Sequence, residues 1–181
     1  MVIAGLLAAG VSGYAWRHRQ TRSAIPFAIL STAIAGWTIG YACQLTAVDI
    51  DAKRIFANIE YIGITIVPIA WLIFTVDFSN NESWLHRKYF GLLMMVPSIT
   101  ILLAWTDPFH GLVRTHVGLE DKGGYVLAIT EYGSWFWVHT IYSYVLLVTG
   151  TVVIARFLIH SPPYTYARPS SSWQASSDRR S

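Results

Sequence analysis

The chain has 181 residues, of which 54% are hydrophobic and only 13% are charged, and its net charge is +3 at pH 7. A soluble domain carries about a quarter charged residues, so too few charges remain here to coat a water-soluble globule. The Lys and Arg residues are spread over several short connections instead of one face, which argues against nucleic-acid binding. The single cysteine, Cys43, excludes an intramolecular disulfide and a multi-cysteine metal site.

Apolar blocks separated by short polar clusters follow one another along the chain. A helix needs about 20 apolar residues to cross the hydrocarbon core of a bilayer, and most of the blocks approach or exceed that length. We therefore predict an all-α integral membrane protein, a polytopic bundle of about five transmembrane helices that fills residues 1–160. The predicted spans are, in chain order, residues 1–16, 25–48, 55–78, 89–106 and 135–160.

Several residues inside these blocks bear on the shape and packing of the helices. The first block is followed, not preceded, by basic residues, so it is typical of a short helix and not of a signal peptide. Pro68 and Pro97 lie inside the third and fourth spans, where a proline predicts a kink and not a break. Gly36 and Gly40 in the second span have the GxxxG spacing, which permits close contact between helices.

The distribution of basic residues over the connections predicts the orientation, because Lys and Arg resist translocation. Residues that follow the first, third and fifth spans make up the larger set: Arg17, Arg19, Arg22, Arg87, Lys88, Arg156, Arg168, Arg179 and Arg180. The opposite side carries Lys53, Arg54, Arg114 and Lys122, together with several acidic residues. We therefore predict a plasma-membrane protein with its amino terminus outside and its carboxyl terminus in the cytoplasm.

The loop between the fourth and fifth spans, residues 107–134, is rich in glycine, and its apolar side chains alternate with others from Tyr125 to Ile129. This pattern predicts a small extracellular hairpin that caps the bundle. Beyond His160 the composition changes abruptly to Ser, Pro and Arg. Such a segment buries too little apolar surface to fold, so residues 161–181 are predicted to form a disordered cytoplasmic tail.

Glu60 is the most informative ionisable residue, because it lies inside the third predicted span. A carboxylate at membrane depth is costly and usually faces a partner or water, so it predicts a ligand-binding or proton-linked site. The alternative is that Glu60 lies at the outer headgroup level or pairs with Arg54 or His139, and its shallow depth favours that interpretation.

His139 and Tyr142 lie three residues apart on the fifth span and therefore on one face of that helix. With Tyr61 and Trp37 they form the candidate sensing residues, as the lining of an aromatic pocket. The alternative is an ordinary interfacial belt of Trp and Tyr, which the composition favours. The sequence contains no nucleotide loop, metal-spaced cluster or nucleophile elbow, so it predicts no catalytic residue, metal or cofactor.

A set of aromatic, proline and polar residues follows a recognisable order between residues 19 and 158. Its members are Asn58, Glu60, Tyr61, Gly63, Pro68, Trp71, Leu72, Phe74, Trp84 to Arg87, Pro97, Thr106, Asp107, His110, Trp135, Trp137, His139, Tyr142 and Tyr144. In these positions the chain resembles the amino-terminal seven-helix sensor region of membrane histidine kinases. That family implies the input region of a two-component system, which passes a signal across the membrane to a kinase core.

The chain departs from this family pattern in two respects. It shows about five spans instead of seven, and it ends before any phosphoacceptor histidine or ATP-binding motif, so we expect a truncated or frameshifted sensor that is not itself an enzyme. The expected partners are the lipid bilayer and a cytoplasmic histidine kinase or homologous sensor, with a homodimer left open. The alternative function is a small transporter or channel module, whose path would be lined by intramembrane charges such as Glu60.

Overall fold

The computed structural model describes residues 2–21, 23–80, 87–122 and 125–160, with side chains described except at residues 2, 87–89 and 119–128. Within these ranges the chain forms five α-helices, a 3₁₀ turn and a two-stranded sheet. Their bounds are α1 Val2–Arg17, α2 Ala24–Thr46, α3 Ile50–Phe78, α4 Arg87–Thr106, the 3₁₀ turn Asp107–Phe109, β1 Arg114–Lys122, β2 Tyr125–Tyr132 and α5 Ser134–His160. The predicted disordered tail, residues 161–181, lies outside the described residues.

Four of these helices are long and apolar enough to cross a membrane. They are the four that follow α1, which has 16 residues and is the shortest of the five described α-helices. Both internal prolines lie within continuous helices, Pro68 in α3 and Pro97 in α4, so neither breaks its helix. The predicted all-α membrane bundle with a small hairpin is therefore confirmed.

Helix α3 begins at Ile50, earlier than the predicted start at residue 55. The cause is Asp49, whose Oδ2 accepts hydrogen bonds from the backbone nitrogens of Asp51 and Ala52, each at 3.1 Å. An aspartate in this position satisfies backbone donors that the first turn of a helix leaves free. The two basic residues that follow therefore belong to the helix and not to the connection before it.

Helix α3 lies at the centre of the bundle and packs against α2, α4 and α5. Half of its most apolar window is buried, compared with 11% for α5. At its contact with α5, Trp71 Nε1 donates a hydrogen bond to the carbonyl oxygen of Leu147 at 3.2 Å. A Cβ on Gly150 would lie 2.8 Å from the Trp71 ring, so this glycine allows the two helices to approach.

Two glycines, one on each helix, allow the close contact between α2 and α3. A Cβ on Gly63 would lie 2.8 Å from the carbonyl oxygen of Ala33. A Cβ on Gly40 would lie 2.9 Å from Cγ of Glu60, whereas a Cβ on Gly36 would meet no atom within 4 Å. Only the second glycine of the predicted GxxxG pair therefore lies at this contact.

The strands β1 and β2 form an antiparallel hairpin with an irregularity between Arg114 and His116. Two hydrogen bonds join the start of the hairpin to the start of α5: the nitrogen of Gly133 donates to the Val113 oxygen, and that of Trp135 to the Leu112 oxygen, both at 2.9 Å. These bonds fix the hairpin over the same end of the bundle at which α3 begins and α5 starts.

Candidate functional site

A buried ion pair fixes the base of the hairpin to the helices. Arg114 Nε donates to Asp107 Oδ2 at 3.1 Å, and each residue is only 6% exposed. The same carboxylate accepts hydrogen bonds from the backbone nitrogens of Val113 at 3.0 Å and Arg114 at 3.2 Å. Arg114 Nη2 donates to Asn58 Oδ1 on α3 and to the Ala104 oxygen on α4. One guanidinium therefore connects the hairpin with two helices.

Tyr61 lies beside this ion pair and extends it towards the interior of the bundle. Cζ of Arg114 is 5.6 Å from the centre of the Tyr61 ring, a distance at which a cation is attracted to an aromatic face. Tyr61 also packs against Ala104 and Val113 in a small buried cluster. The ring therefore packs against α4 and against the residue that precedes β1.

A cavity of about 730 Å³ lies between α2, α3, α5 and the hairpin. Its polar and charged lining residues are Gln44, Lys53, Arg54, Glu60, Arg114, Thr130, His139, Thr140 and Ser143. Its aromatic lining residues are Trp37, Tyr41, Tyr61, Tyr132, Phe136 and Tyr144. Concave sites with apolar walls and a few convergent polar groups are the usual form of small-molecule binding sites.

Four of the five predicted sensing residues line this one cavity: Trp37 from α2, Glu60 and Tyr61 from α3, and His139 from α5. Tyr142 is not among the lining residues. Its hydroxyl donates a hydrogen bond to the carbonyl oxygen of Leu93 at 2.6 Å, so it connects α5 with α4. The spacing of three residues placed Tyr142 near His139, but the two side chains have different neighbours.

Glu60 is 7% exposed, and its Oε1 is buried without a hydrogen-bond partner among the described residues. Neither of the two partners considered from the sequence pairs with it. Arg54 instead lies 4.0 Å from Asp51, and the imidazole of His139 lies within hydrogen-bonding distance of hydroxyl groups. A buried carboxyl oxygen without a partner is costly, which makes Glu60 the group in this cavity that most needs one.

His139 has partners on both sides of its ring. Its Nδ1 lies 3.4 Å from Thr100 Oγ1 on α4, and its Nε2 lies 3.2 Å from Ser143 Oγ. Thr100 also accepts a hydrogen bond from Trp135 Nε1 at 3.0 Å. These contacts hold the imidazole as a wall of the cavity and join α4 to the first turns of α5.

Lys53 is a cavity residue that the sequence reasoning missed, because it was counted as a charge in a connection. It is only 2% exposed, and its Nζ donates to the carbonyl oxygen of Gln44 at 3.0 Å, near the carboxyl end of α2. No carboxylate of a described residue lies within 4.0 Å of it. The sequence feature that could have predicted this position is Asp49. An aspartate is typical of a helix start, and a helix that begins there contains Lys53.

Arg114 was also counted from the sequence as a loop charge. The structure places it in the buried ion pair and in the wall of the cavity. Within the described ranges, no group of three or more His, Cys, Asp or Glu side chains is arranged to hold a metal ion. The side chains that line the cavity offer charge, hydrogen bonds and aromatic surface to a bound molecule.

A comparison with protein-family models gives a match over residues 1–173, to the family described as the N-terminal 7TM region of histidine kinase. The matched range covers all five helices and the hairpin, and it is wider at both ends than the resemblance carried by the aromatic and proline positions. No curated protein and no solved structure matches the chain.

Proposed function

Since the chain belongs to the family of N-terminal seven-transmembrane regions of histidine kinases, we propose that its cavity receives the stimulus of this sensory input region. A stimulus at the cavity shifts the packing of the helices around it. That shift biases a histidine-kinase core on the cytoplasmic side, because a ligand moves an equilibrium towards the state it binds better. The lipid bilayer and that kinase core are the proposed partners.

One observation carries the proposal: Glu60, buried and without a partner at Oε1, lines a cavity of about 730 Å³. The polar atoms of a buried side chain with only a structural role normally have hydrogen-bond partners in the protein. Its unfilled hydrogen-bonding capacity is therefore available to a molecule that enters the cavity. The aromatic walls supply the contact area that such a molecule needs.

The walls of the cavity also suggest how its occupation reaches the other end of the bundle. Both α3 and α5 line the cavity, and they contact one another again further along at Trp71 and Gly150. Packed helices respond to a local change by small translations or rotations, because well-packed contacts deform little. A molecule between the first turns of α3 and α5 is therefore expected to move the end of α5 relative to α3.

The proposed orientation has the amino terminus outside, the cavity and hairpin at the outer end, and the carboxyl terminus in the cytoplasm. It rests on the bias of basic residues among the connections. Single cysteines placed at Thr21 and at His116 in a Cys43→Ser background test it, since both positions are exposed and lie at opposite ends of the bundle. In intact cells a membrane-impermeant maleimide should label His116→Cys, and should label Thr21→Cys only after permeabilisation. The reverse pattern would refute the orientation.

Filling the cavity tests the sensing role. Ala57 lines the cavity, so Ala57→Trp occupies space that a stimulus would use. With the chain joined at its carboxyl end to a histidine-kinase core, we expect autophosphorylation in membrane vesicles to change by about fivefold or more, the size of a typical coupling between sites.

The matched control is Ile55→Trp on the same helix, because Ile55 is 52% exposed and does not line the cavity. This variant should keep the output of the parent protein within about twofold, as surface substitutions usually have small effects. Equal output from the parent and Ala57→Trp would show that the cavity does not control the kinase.

A further inference from the structure

Two buried side chains of opposite charge line the cavity from the same helix. Lys53 and Glu60 are both in α3, and they are 2% and 7% exposed. Seven residues of an α-helix make almost two full turns, so the two side chains share a face and are separated by roughly 10 Å along the axis. They are too far apart along the helix to pair with each other.

No ion pair joins Lys53 or Glu60 to another charged side chain among the described residues. Arg114 is paired with Asp107 at 3.1 Å, and Arg54 lies 4.0 Å from Asp51. Lys53 has one carbonyl oxygen as its partner, which leaves two of its three donors and its charge unmatched by any described residue. Glu60 Oε1 has no partner among them at all. Neither Lys53 nor Glu60 therefore has an ion-pair partner among the described residues, an arrangement that costs free energy, although the charge of Arg114 is near enough to attract Glu60.

From this arrangement we propose that the cavity binds an elongated zwitterion, with an acidic group at Lys53, an amine at Glu60 and an apolar body between them. The proposal rests on the proposed function, since it names the class of molecule that the sensory cavity recognises. A ligand of this class supplies an ion-pair partner to both residues at once. A ligand with a single charge would leave one of the two groups buried and unmatched.

The wall between the two charges suits an apolar body. Ala57 lies on α3 between the two charged residues, and Tyr41 and Leu45 line the cavity from α2. Rings and branched aliphatic side chains offer contact area without requiring further hydrogen bonds from the ligand. Arg54, which is only half-buried, lies at the Lys53 end and adds positive charge there. The acidic end of the ligand is therefore expected to lie near Lys53 and Arg54.

The probe that tests the proposal is 8-aminooctanoate, whose extended chain places an amine and a carboxylate at about the separation of the two side chains. The full chain in lipid nanodiscs is titrated with it by calorimetry. Octanoate and octylamine, each of which lacks one of the two charged groups, should bind about tenfold more weakly or worse, because a hydrogen bond to a charged group contributes about 1.5–3 kcal/mol. Equal affinity for octylamine and the zwitterion would overturn the role of Lys53, and absence of binding by 8-aminooctanoate would overturn the ligand class.

The substitution Glu60→Gln tests whether the amine of the ligand binds at Glu60. It should weaken binding of 8-aminooctanoate by about tenfold or more and leave octanoate binding unchanged, because octanoate has no amine to lose a partner. The matched control is Glu131→Gln, which changes an exposed glutamate of β2 that does not line the cavity and should leave both affinities unchanged. Unaltered binding of the zwitterion to Glu60→Gln would refute the assignment.

The proposed ligand class and the proposed sensing role can be refuted independently of each other. If Ala57→Trp changes kinase output but 8-aminooctanoate does not bind, the sensing role stands and the zwitterion is wrong. If the probe binds as expected but Ala57→Trp leaves the output unchanged, the binding site stands and its role in signalling is wrong.

Discussion

Replacing Arg114 by methionine is expected to lower the free energy of unfolding by about 3–5 kcal/mol, the usual cost of removing one partner from a buried ion pair. Methionine keeps most of the length of the side chain but has no charge. The carboxylate of Asp107, which is 6% exposed, would then be buried without a counter-charge. His110 does not replace the lost cation, because its Nδ1, 4.0 Å from that carboxylate, accepts a hydrogen bond from the nitrogen of Leu112.

The same substitution also removes the contacts that tie the hairpin to the helices. Arg114 Nη2 is the donor to Asn58 on α3 and to the Ala104 oxygen on α4. Without them the hairpin is held less firmly, through the backbone hydrogen bonds of Gly133 and Trp135 and those that Asp107 accepts. Reversible unfolding of the chain in mixed micelles, followed by circular dichroism, measures the loss of stability.

Two further variants test whether the loss of stability is specific to the buried ion pair or follows the removal of any arginine charge. Arg54→Met removes an arginine whose pairing with Asp51 is long, at 4.0 Å, and whose partner side chain is 78% exposed. Exposed pairs contribute about 0–1 kcal/mol, so this variant should remain close to the parent. Adding Asp107→Asn to Arg114→Met should restore part of the stability, because it removes the uncompensated charge and keeps an oxygen for the backbone donors. Equal losses in Arg54→Met and Arg114→Met would contradict the argument.

The sequence was sufficient to predict the helices but not their partners. The length of each apolar block determines whether it can span a bilayer, and this is a property of the chain alone. The contacts of the charged residues were more difficult to predict. Counting basic residues assigns each of them to a side of the membrane but does not say what it contacts. Lys53 and Arg114 were both counted as loop charges, and both are buried and hydrogen-bonded to a residue of a neighbouring helix.

For the candidate site, too, the sequence predicted positions along a helix but not the contacts between helices. Helical periodicity places His139 and Tyr142 on one face of α5, but it does not say which neighbouring helix that face meets. The face meets α4 as well as the cavity, so Tyr142 is bonded to Leu93 while His139 lines the cavity. Glu60 could be singled out because a carboxyl group inside an apolar block is costly wherever it points. Its missing partner could be recognised only once the neighbouring helices were in place.

The substitution Gly63→Ala is expected to destabilise the protein by about 1–3 kcal/mol, the usual cost of forcing an extra methyl group into a packed contact. The new Cβ would lie 2.8 Å from the carbonyl oxygen of Ala33 and 2.9 Å from Cβ of Trp37. These atoms belong to the backbone of α2 or are attached directly to it, so no side-chain rotation relieves the overlap. The two helices must move apart, and the loss is read from the same micelle unfolding experiment.

Gly36→Ala is the matched control, because it makes the same chemical change on the neighbouring helix where a Cβ would meet no atom within 4 Å. Alanine has a higher helix propensity than glycine by up to about 1 kcal/mol, so this variant should be neutral or slightly more stable. The two substitutions are therefore expected to differ in sign, although both glycines lie within helices. If Gly63→Ala is also neutral or stabilising, Gly63 is not needed for the close contact between α2 and α3.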